Sequence, residues 1–248
     1  MLRRSLSRIG FMFALLGALL VGTAGAQDFQ KSYASGAGTS VAIANVSGNV
    51  HVTGYSGETI SVAAYREGRD RDLVQVEDLS SGNQIKLRAR YPNNCNCDAS
   101  IRFEVRVPRS TRYKLGPLST ASGNVEVRDA SGDVTVQTAS GNVLIKDVSG
   151  AVNAQSASGD VNVEITRIEG AERMSFSTAS GNVNVKLPDN PDADIHMSTA
   201  SGSVRTDFPL DMDRRQYGPG ASARGQLGNG TVRIRLSSAS GDVTLSRM

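Results

Sequence analysis

Apolar residues along the second half of the chain fall on every other position. Val125, Val143, Val161, Val183, Val204 and Val243 each follow a glycine by two residues. A second apolar residue stands two positions further on, as Val127, Ile145, Val163, Val185 and Leu245, with Thr206 in the equivalent place of one unit. The residues between them, Glu126, Leu144, Asn162, Asn184, Arg205 and Thr244, are mostly polar. A period of two with β-branched residues predicts short strands with one buried face. These strands are preceded by Ser-Gly-Asn or Ser-Gly-Asp, and by Ser-Gly-Ser before Val204, a composition suited to a tight corner, where glycine can adopt a positive φ that a residue with a Cβ resists.

The corners repeat. Ala-Ser-Gly-(Asn/Asp/Ser)-Val occurs with glycines at Gly123, Gly141, Gly159, Gly181, Gly202 and Gly241, in steps of 18, 18, 22, 21 and 39. Half-repeats place Gly132 and Gly150 midway, and Gly170 marks another. Stacking such units predicts an all-β fold, a single parallel β-helix or β-solenoid with about 18–22 residues per coil. Equivalent residues would lie above one another about 4.8 Å apart. The valines then form an inward column, and Ala121, Ala139, Ala157 and Ala179 are expected as a second, narrow inward column. The expected corner ladder comprises Ser122, Gly123, Asn124, Ser140, Gly141, Asn142, Ser158, Gly159, Asp160, Ser180, Gly181, Asn182, Ser201, Gly202, Ser240, Gly241 and Asp242. Its role is structural, because stacked hydroxyls, amides and carboxylates satisfy one another.

Val46-Ser47-Gly48-Asn49-Val50-His51-Val52 repeats the unit near the other end, and further alternating runs lie at 60–62, 73–76, 84–87 and 101–107. The expected organisation is one solenoid domain over 27–248, with irregular coils over 27–118 and regular coils over 119–248. Residues 66–72 read as a charged turn. Residues 207–230, with Pro209, Pro219 and many glycines, read as a long projecting loop.

Residues 1–26 break the pattern. Arg3, Arg4 and Arg8 precede the apolar run Ile9 to Val21, and Ala24-Gly25-Ala26 offers a small-residue cleavage site, the features of a secretory signal peptide. No later stretch is apolar enough to span a bilayer as a helix. The leader also accounts for the charge. The chain has 27 Lys plus Arg against 24 Asp plus Glu; without Arg3, Arg4 and Arg8 the cations also number 24. A neutral mature chain removes the electrostatic argument for nucleic acid. With no Trp and 5% aromatic residues, stacking platforms for sugars or bases are disfavoured.

The Ser-Gly-(Asn/Asp)-Val units resemble those of the bacterial putative-adhesin family. The likeness includes Gly225-Gln226-Leu227-Gly228-Asn229-Gly230, then Val232-Arg233-Ile234-Arg235-Leu236 and the terminal Ser240-Gly241-Asp242-Val243-Thr244-Leu245, and also Val105-Arg106-Val107-Pro108. It covers most of 40–245. The resemblance implies a β-solenoid in an exported or envelope protein, and it supplies no catalytic residues.

Other chemistry is thinly represented. Calcium-binding β-rolls carry Gly-Gly-x-Gly-x-Asp units, whereas each unit here has one glycine, and Asn124, Asn142, Asn182, Ala151 or Ser203 stands at the acidic position. Asp189/Asp192/Asp194 and Asp207/Asp211/Asp213 are candidate oxygen-ligand clusters, with solvated loop acids as the commoner reading. Glu126, Asp147, Glu164 and Lys186 are outward candidates for polysaccharide chemistry but scatter over different columns. His51 and His196 are isolated. Cys95-Asn96-Cys97 predicts a disulfide within a turn in an oxidising compartment, with redox or soft-metal roles or free or intermolecular thiols as alternatives.

The expectation is therefore a non-enzymatic, exported surface or envelope protein, without cofactor or metal. It would be periplasmic, cell-surface or secreted, and would bind an envelope or extracellular polymer or protein, with self-association through open solenoid ends also available. The alternatives are an envelope-stress component that senses or sequesters peptides, and a polysaccharide-acting β-helix enzyme.

Overall fold

The computed structural model describes residues 28–214 and 220–248; the expected leader, 1–26, lies outside them. The chain forms β1 (Phe29–Ala34), β2 (Ser40–Ala44), β3 (Val50–Tyr55), β4 (Thr59–Glu67), β5 (Gln75–Asp78), β6 (Gln84–Arg90) and β7 (Ser100–Pro108). The regular part contributes β8 (Arg112–Ser122), β9 (Val125–Arg128), β10 (Ser131–Ser140), β11 (Val143–Ser149), β12 (Val152–Ser158), β13 (Val161–Arg167), β14 (Arg173–Ser180) and β15 (Val183–Leu187). The last strands are β16 (Ala193–Ser201), β17 (Val204–Thr206), β18 (Asp211–Arg214), β19 (Ala221–Leu227), β20 (Val232–Ser240) and β21 (Val243–Arg247). A 3-10 turn at Arg71–Leu73 lies in the charged segment after β4.

This is a β-solenoid with two long ladders. The first runs β5–β6–β2–β8–β10–β12–β14–β20–β16–β19–β18. The second runs β1–β4–β7–β3–β9–β11–β13–β15–β21–β17. Interior pairs are parallel, and the pairs at the ends involving β1, β4, β5, β18 and β19 are antiparallel. Alternate side chains fill the space between the ladders: Val50, Val125, Val143, Val161, Val183 and Val243 are fully buried, as are Val52, Val127, Ile145 and Leu245. Each such Val or Ile contributes about 1.5–3 kcal/mol of apolar burial.

The stack departs from sequence order at both ends. The last coil, β20 and β21, lies between the coil of β14 and β15 and the coil of β16 and β17. At the other end, β2 and β3 lie between β6/β7 and β8/β9. A solenoid end presents unpaired N–H and C=O groups, a hazard that folds manage by covering edges. Returning each terminal coil inward leaves an outer coil whose edge an antiparallel strand can cover.

Residues 207–230 supply one of those covers, which corrects their reading as a loop. Within them β18 and β19 pair antiparallel, and β19 pairs along most of the edge of β16, from Ala193↔Leu227 to Thr199↔Ala221. Glycines and prolines hide its alternation, yet Ala223 faces the core and Arg224 faces solvent. At the other end of the solenoid, antiparallel strands cover the outer coil on both ladders. β6 carries β5, and β7 carries β4 and then β1.

Candidate functional site

The Ser-Gly-Asn corner is built from two hydrogen-bond ladders. After each corner glycine, an Asn or Asp Oδ1 accepts the backbone N–H of the equivalent residue in the next coil. The series is Asn124 N–H to Asn49 (2.9 Å), Asn142 to Asn124 (2.8 Å), Asp160 to Asn142 (2.9 Å), Asn182 to Asp160 (2.8 Å), Asp242 to Asn182 (2.9 Å) and Ser203 to Asp242 (2.8 Å). Asp242 carries the last acceptor, and the Ser203 N–H, together with the Ser203 hydroxyl and Arg205, holds its carboxyl below the usual range.

The second ladder uses the residue three before each glycine. Thr120, Thr138, Ser156, Thr178, Thr199 and Ser238 are buried, and their hydroxyls donate to the carbonyls of Gly48, Gly123, Gly141, Gly159, Gly241 and Gly181 respectively, at 2.7–3.3 Å. Asn45 takes the same place in its coil and donates to Ile101 O at 2.7 Å. The sequence carries a signal for this column, because Thr or Ser precedes Ala-Ser-Gly at each of the six corners from Gly123 to Gly241. Buried hydroxyls paired to carbonyls satisfy the corner without water.

That column corrects the expected alanines. Counted from the buried Val136 and Thr138, the period of two places Ala139 outside. Ala121, Ala139, Ala157, Ala179, Ala200 and Ala239 are all exposed, as are Ser122, Ser140, Ser158, Ser180, Ser201 and Ser240. The glycines permit the close stacking. Gly141 has φ +152°, and a Cβ there would meet Gly123 O at 2.0 Å.

Toward the corners, the outward side of the first ladder presents uncharged polar residues. Register aligns Gln137, Gln155, Ser177, Ser237, Ser198 and Ser222 in one row across β10, β12, β14, β20, β16 and β19. Next to it runs the exposed alanine row. Ser177, Ser198 and Ser237 with Ala179, Ala200 and Ala239 line a shallow depression in this face.

The second ladder's outward side is charged and internally paired. Glu126 pairs with Arg128, and Arg102 with Glu104 and Glu67. Lys186 reaches Glu164 at 3.8 Å and Arg205 reaches Asp242 at 2.9 Å. Of the four polysaccharide-chemistry candidates, the fold makes neighbours of Glu164 and Lys186. Glu126 lies two strands away on β9, and Asp147 sits at a corner with φ 54°. His51 stands in register between Glu104 and Glu126, and His196 is exposed on the first ladder.

The aspartate clusters disperse. Asp189 and Asp194 are exposed. Burial pushes the Asp192 carboxyl up, but the Thr231 hydroxyl and the amides of Asn229, Thr231 and Gly230 outweigh it and hold the carboxyl low. The Asp192 backbone carbonyl accepts the Thr231 hydroxyl and the Val232 N–H, both at 3.1 Å, which ties the start of β20 to the segment before β16. Among the described residues no three acidic, His or Cys side chains are grouped to hold a metal ion. Cys95 and Cys97 are joined by a disulfide, with Cα atoms 5.1 Å apart, in the turn between β6 and β7.

No helix among the described residues is long and apolar enough to cross a membrane. No curated protein matches the chain. A solved structure of a putative cell adhesion protein from Clostridium sporogenes is similar at 10% identity and TM-score 0.47, covering 89% of this chain and 99% of that one. A putative adhesin from Bacteroides fragilis is similar at 15% identity and TM-score 0.44, covering 89% and 96%. The family described as Toastrack DUF4097 matches residues 39–246, and the chain belongs to it.

Proposed function

We propose that this is an exported, non-enzymatic surface or envelope protein that binds an extracellular or envelope polymer through the outward face of its first ladder. The observation that carries this reading is the row of Gln137, Gln155, Ser177, Ser237, Ser198 and Ser222 beside the exposed alanine row. Strand spacing repeats the same small polar groups about every 4.8 Å. A flat, periodic face suits a periodic ligand, and many weak contacts add through effective concentration. Export rests on Arg3, Arg4 and Arg8 before the apolar run and Ala24-Gly25-Ala26.

The test is solid-phase binding of the purified chain to intact cells and to isolated envelope polymers. A second protein carrying Ala179→Glu and Ala239→Glu places bulky side chains on the face without touching the core. Binding by the native protein and at least a tenfold loss in the variant supports the proposal. No binding, or equal binding by both, counts against it. For export, cell fractionation and N-terminal sequencing of the full chain should find a protein beginning at Gln27 outside the cytoplasm.

A further inference from the structure

The intercalated last coil also assembles a cluster of cations. On the outward side of the first ladder, Arg173 of β14 is opposite Arg233 of β20, and Arg235 of β20 is opposite His196 of β16, which is opposite Arg224 of β19. All five are exposed. They come from four separate stretches of sequence. Stacking in sequence order would separate Arg173 from Arg233 by the intervening β16.

Like charges directly opposite one another destabilise a sheet; on the second ladder Arg102, Arg128, Lys186 and Arg205 have acidic partners, including Arg128 where it stands opposite Lys146. The cluster on the first ladder is different. Arg233 has Asp194 at 4.0 Å, while Arg173, Arg235 and Arg224 have no acid within salt-bridge distance among the described residues. Other acids nearby are Glu172, beside Arg173 in the chain, and Asp211, opposite Arg224 on β18. The arginines span three strand spacings, about 14 Å, with Arg233 and Arg235 about 7 Å apart along their strand. Guanidinium groups bind phosphate through paired, charge-assisted N–H donors. The surrounding Ser175, Ser177, Ser198 and Ser237 are small and polar, so a chain can lie flat across the row.

We infer that Arg173, Arg233, Arg235 and Arg224 form a binding site for a linear phosphodiester polymer. This deepens the proposed polymer-binding role of the same face by naming the ligand chemistry. A polymer is favoured over a lipid surface because the face around the arginines presents serines rather than large apolar side chains.

The experiment titrates the purified chain with soluble poly(glycerol phosphate), following fluorescence anisotropy of the labelled polymer over a series of salt concentrations. With four phosphate contacts, the slope of log Kobs against log salt is expected near about −3, by the counterion-release value for single strands. Arg233→Ser with Arg235→Ser should weaken binding about tenfold or more near 0.15 M salt and flatten the slope by about 1.4. Arg106→Ser with Lys146→Ser removes the same charge from the second ladder and should leave binding within about twofold, and circular dichroism confirms that both variants fold. The inference is overturned if the native chain fails to bind, or if both double variants lose affinity equally. Binding to phosphatidylglycerol vesicles without binding to the polymer would also overturn it. If the native chain binds cells and neutral envelope glycans but not poly(glycerol phosphate), this inference falls while the broader proposal stands.

Discussion

Gly141→Ala probes the corner on which the stack depends. The new Cβ would sit 2.0 Å from Gly123 O, where ordinary contact begins at 3.4 Å, and the backbone there has φ +152°. Relief requires the two coils to separate locally. That movement would strain Gly123 N–H to Ser140 O and Gly141 N–H to Ser158 O, both 2.9 Å, and Asn142 N–H to Asn124 Oδ1 at 2.8 Å. The unfavourable φ costs about 1–2 kcal/mol, and each hydrogen bond lost costs about 1 kcal/mol. With all three bonds lost the total is about 4–5 kcal/mol. Gly38→Ala is the internal control, because Gly38 has φ +75° and nothing within 4 Å of the Cβ position; only the conformational cost of about 1–2 kcal/mol applies. Urea denaturation followed by circular dichroism compares the two, with coincidence of near- and far-UV transitions checking that unfolding is cooperative. A Gly141→Ala protein no less stable than Gly38→Ala would refute the claim that close carbonyl stacking at the corner is what glycine provides.

Thr178→Val removes the hydroxyl that donates to Gly159 O at 2.9 Å while keeping the shape, so it should cost about 1–2 kcal/mol in the same denaturation assay. An unchanged midpoint would deny the buried ladder an energetic role. Acid should loosen β1. The Arg66 N–H lowers the pKa of Asp28, and for Asp78 the hydrogen bonds from Lys31, Ser80 and Tyr33 outweigh the opposing effect of burial. Both carboxyls are depressed in the fold, so their contribution is complete above their ordinary value of 3.8 and is lost as pH falls through the folded values. Hydrogen exchange of β1 amides, corrected for intrinsic rates, should accelerate on acidification from pH 5 towards 2 more than that of β11, and parallel behaviour would contradict this. Cys95→Ser with Cys97→Ser opens a ring of three residues, so thermal or urea midpoints should report a loss of no more than about 2 kcal/mol. A larger loss would assign the turn a role in anchoring β6 to β7 beyond loop closure.

The regular coils were legible because one physical signal dominates them. Val125, Val143, Val161 and Val183 alternate with polar neighbours at nearly constant spacing, and their columns follow from geometry alone. The alanines lie outside because the parity set by Val136 and Thr138 upstream breaks at the corner glycine and does not carry through from the valine that follows. β18 and β19 escaped notice because Gly220, Gly225 and Pro219 outweigh their weak alternation. Their formation depends on the exposed edge of β16, a tertiary circumstance that local propensity does not encode. Coil order was invisible for a related reason. Ser-Gly-(Asn/Asp/Ser)-Val corners are alike enough to fit against any neighbour, so the repeat says that coils stack without saying which touches which. The arginine cluster depends on that order and could not be read before it.

Cysteine pairing tests the coil order directly. Ser177 is opposite Ser237, and Ser237 opposite Ser198, so Ser177 and Ser198 are separated by a whole strand. Neighbouring strands lie about 4.8 Å apart, within disulfide reach, and alternate strands about 9.6 Å apart, beyond it. Two double variants, Ser177→Cys/Ser237→Cys and Ser177→Cys/Ser198→Cys, are oxidised under native conditions and mapped by mass spectrometry. The intercalated arrangement predicts near-complete crosslinking in the first and none in the second. Crosslinking in the second and none in the first would place the coils in sequence order and remove the structural basis of the binding face.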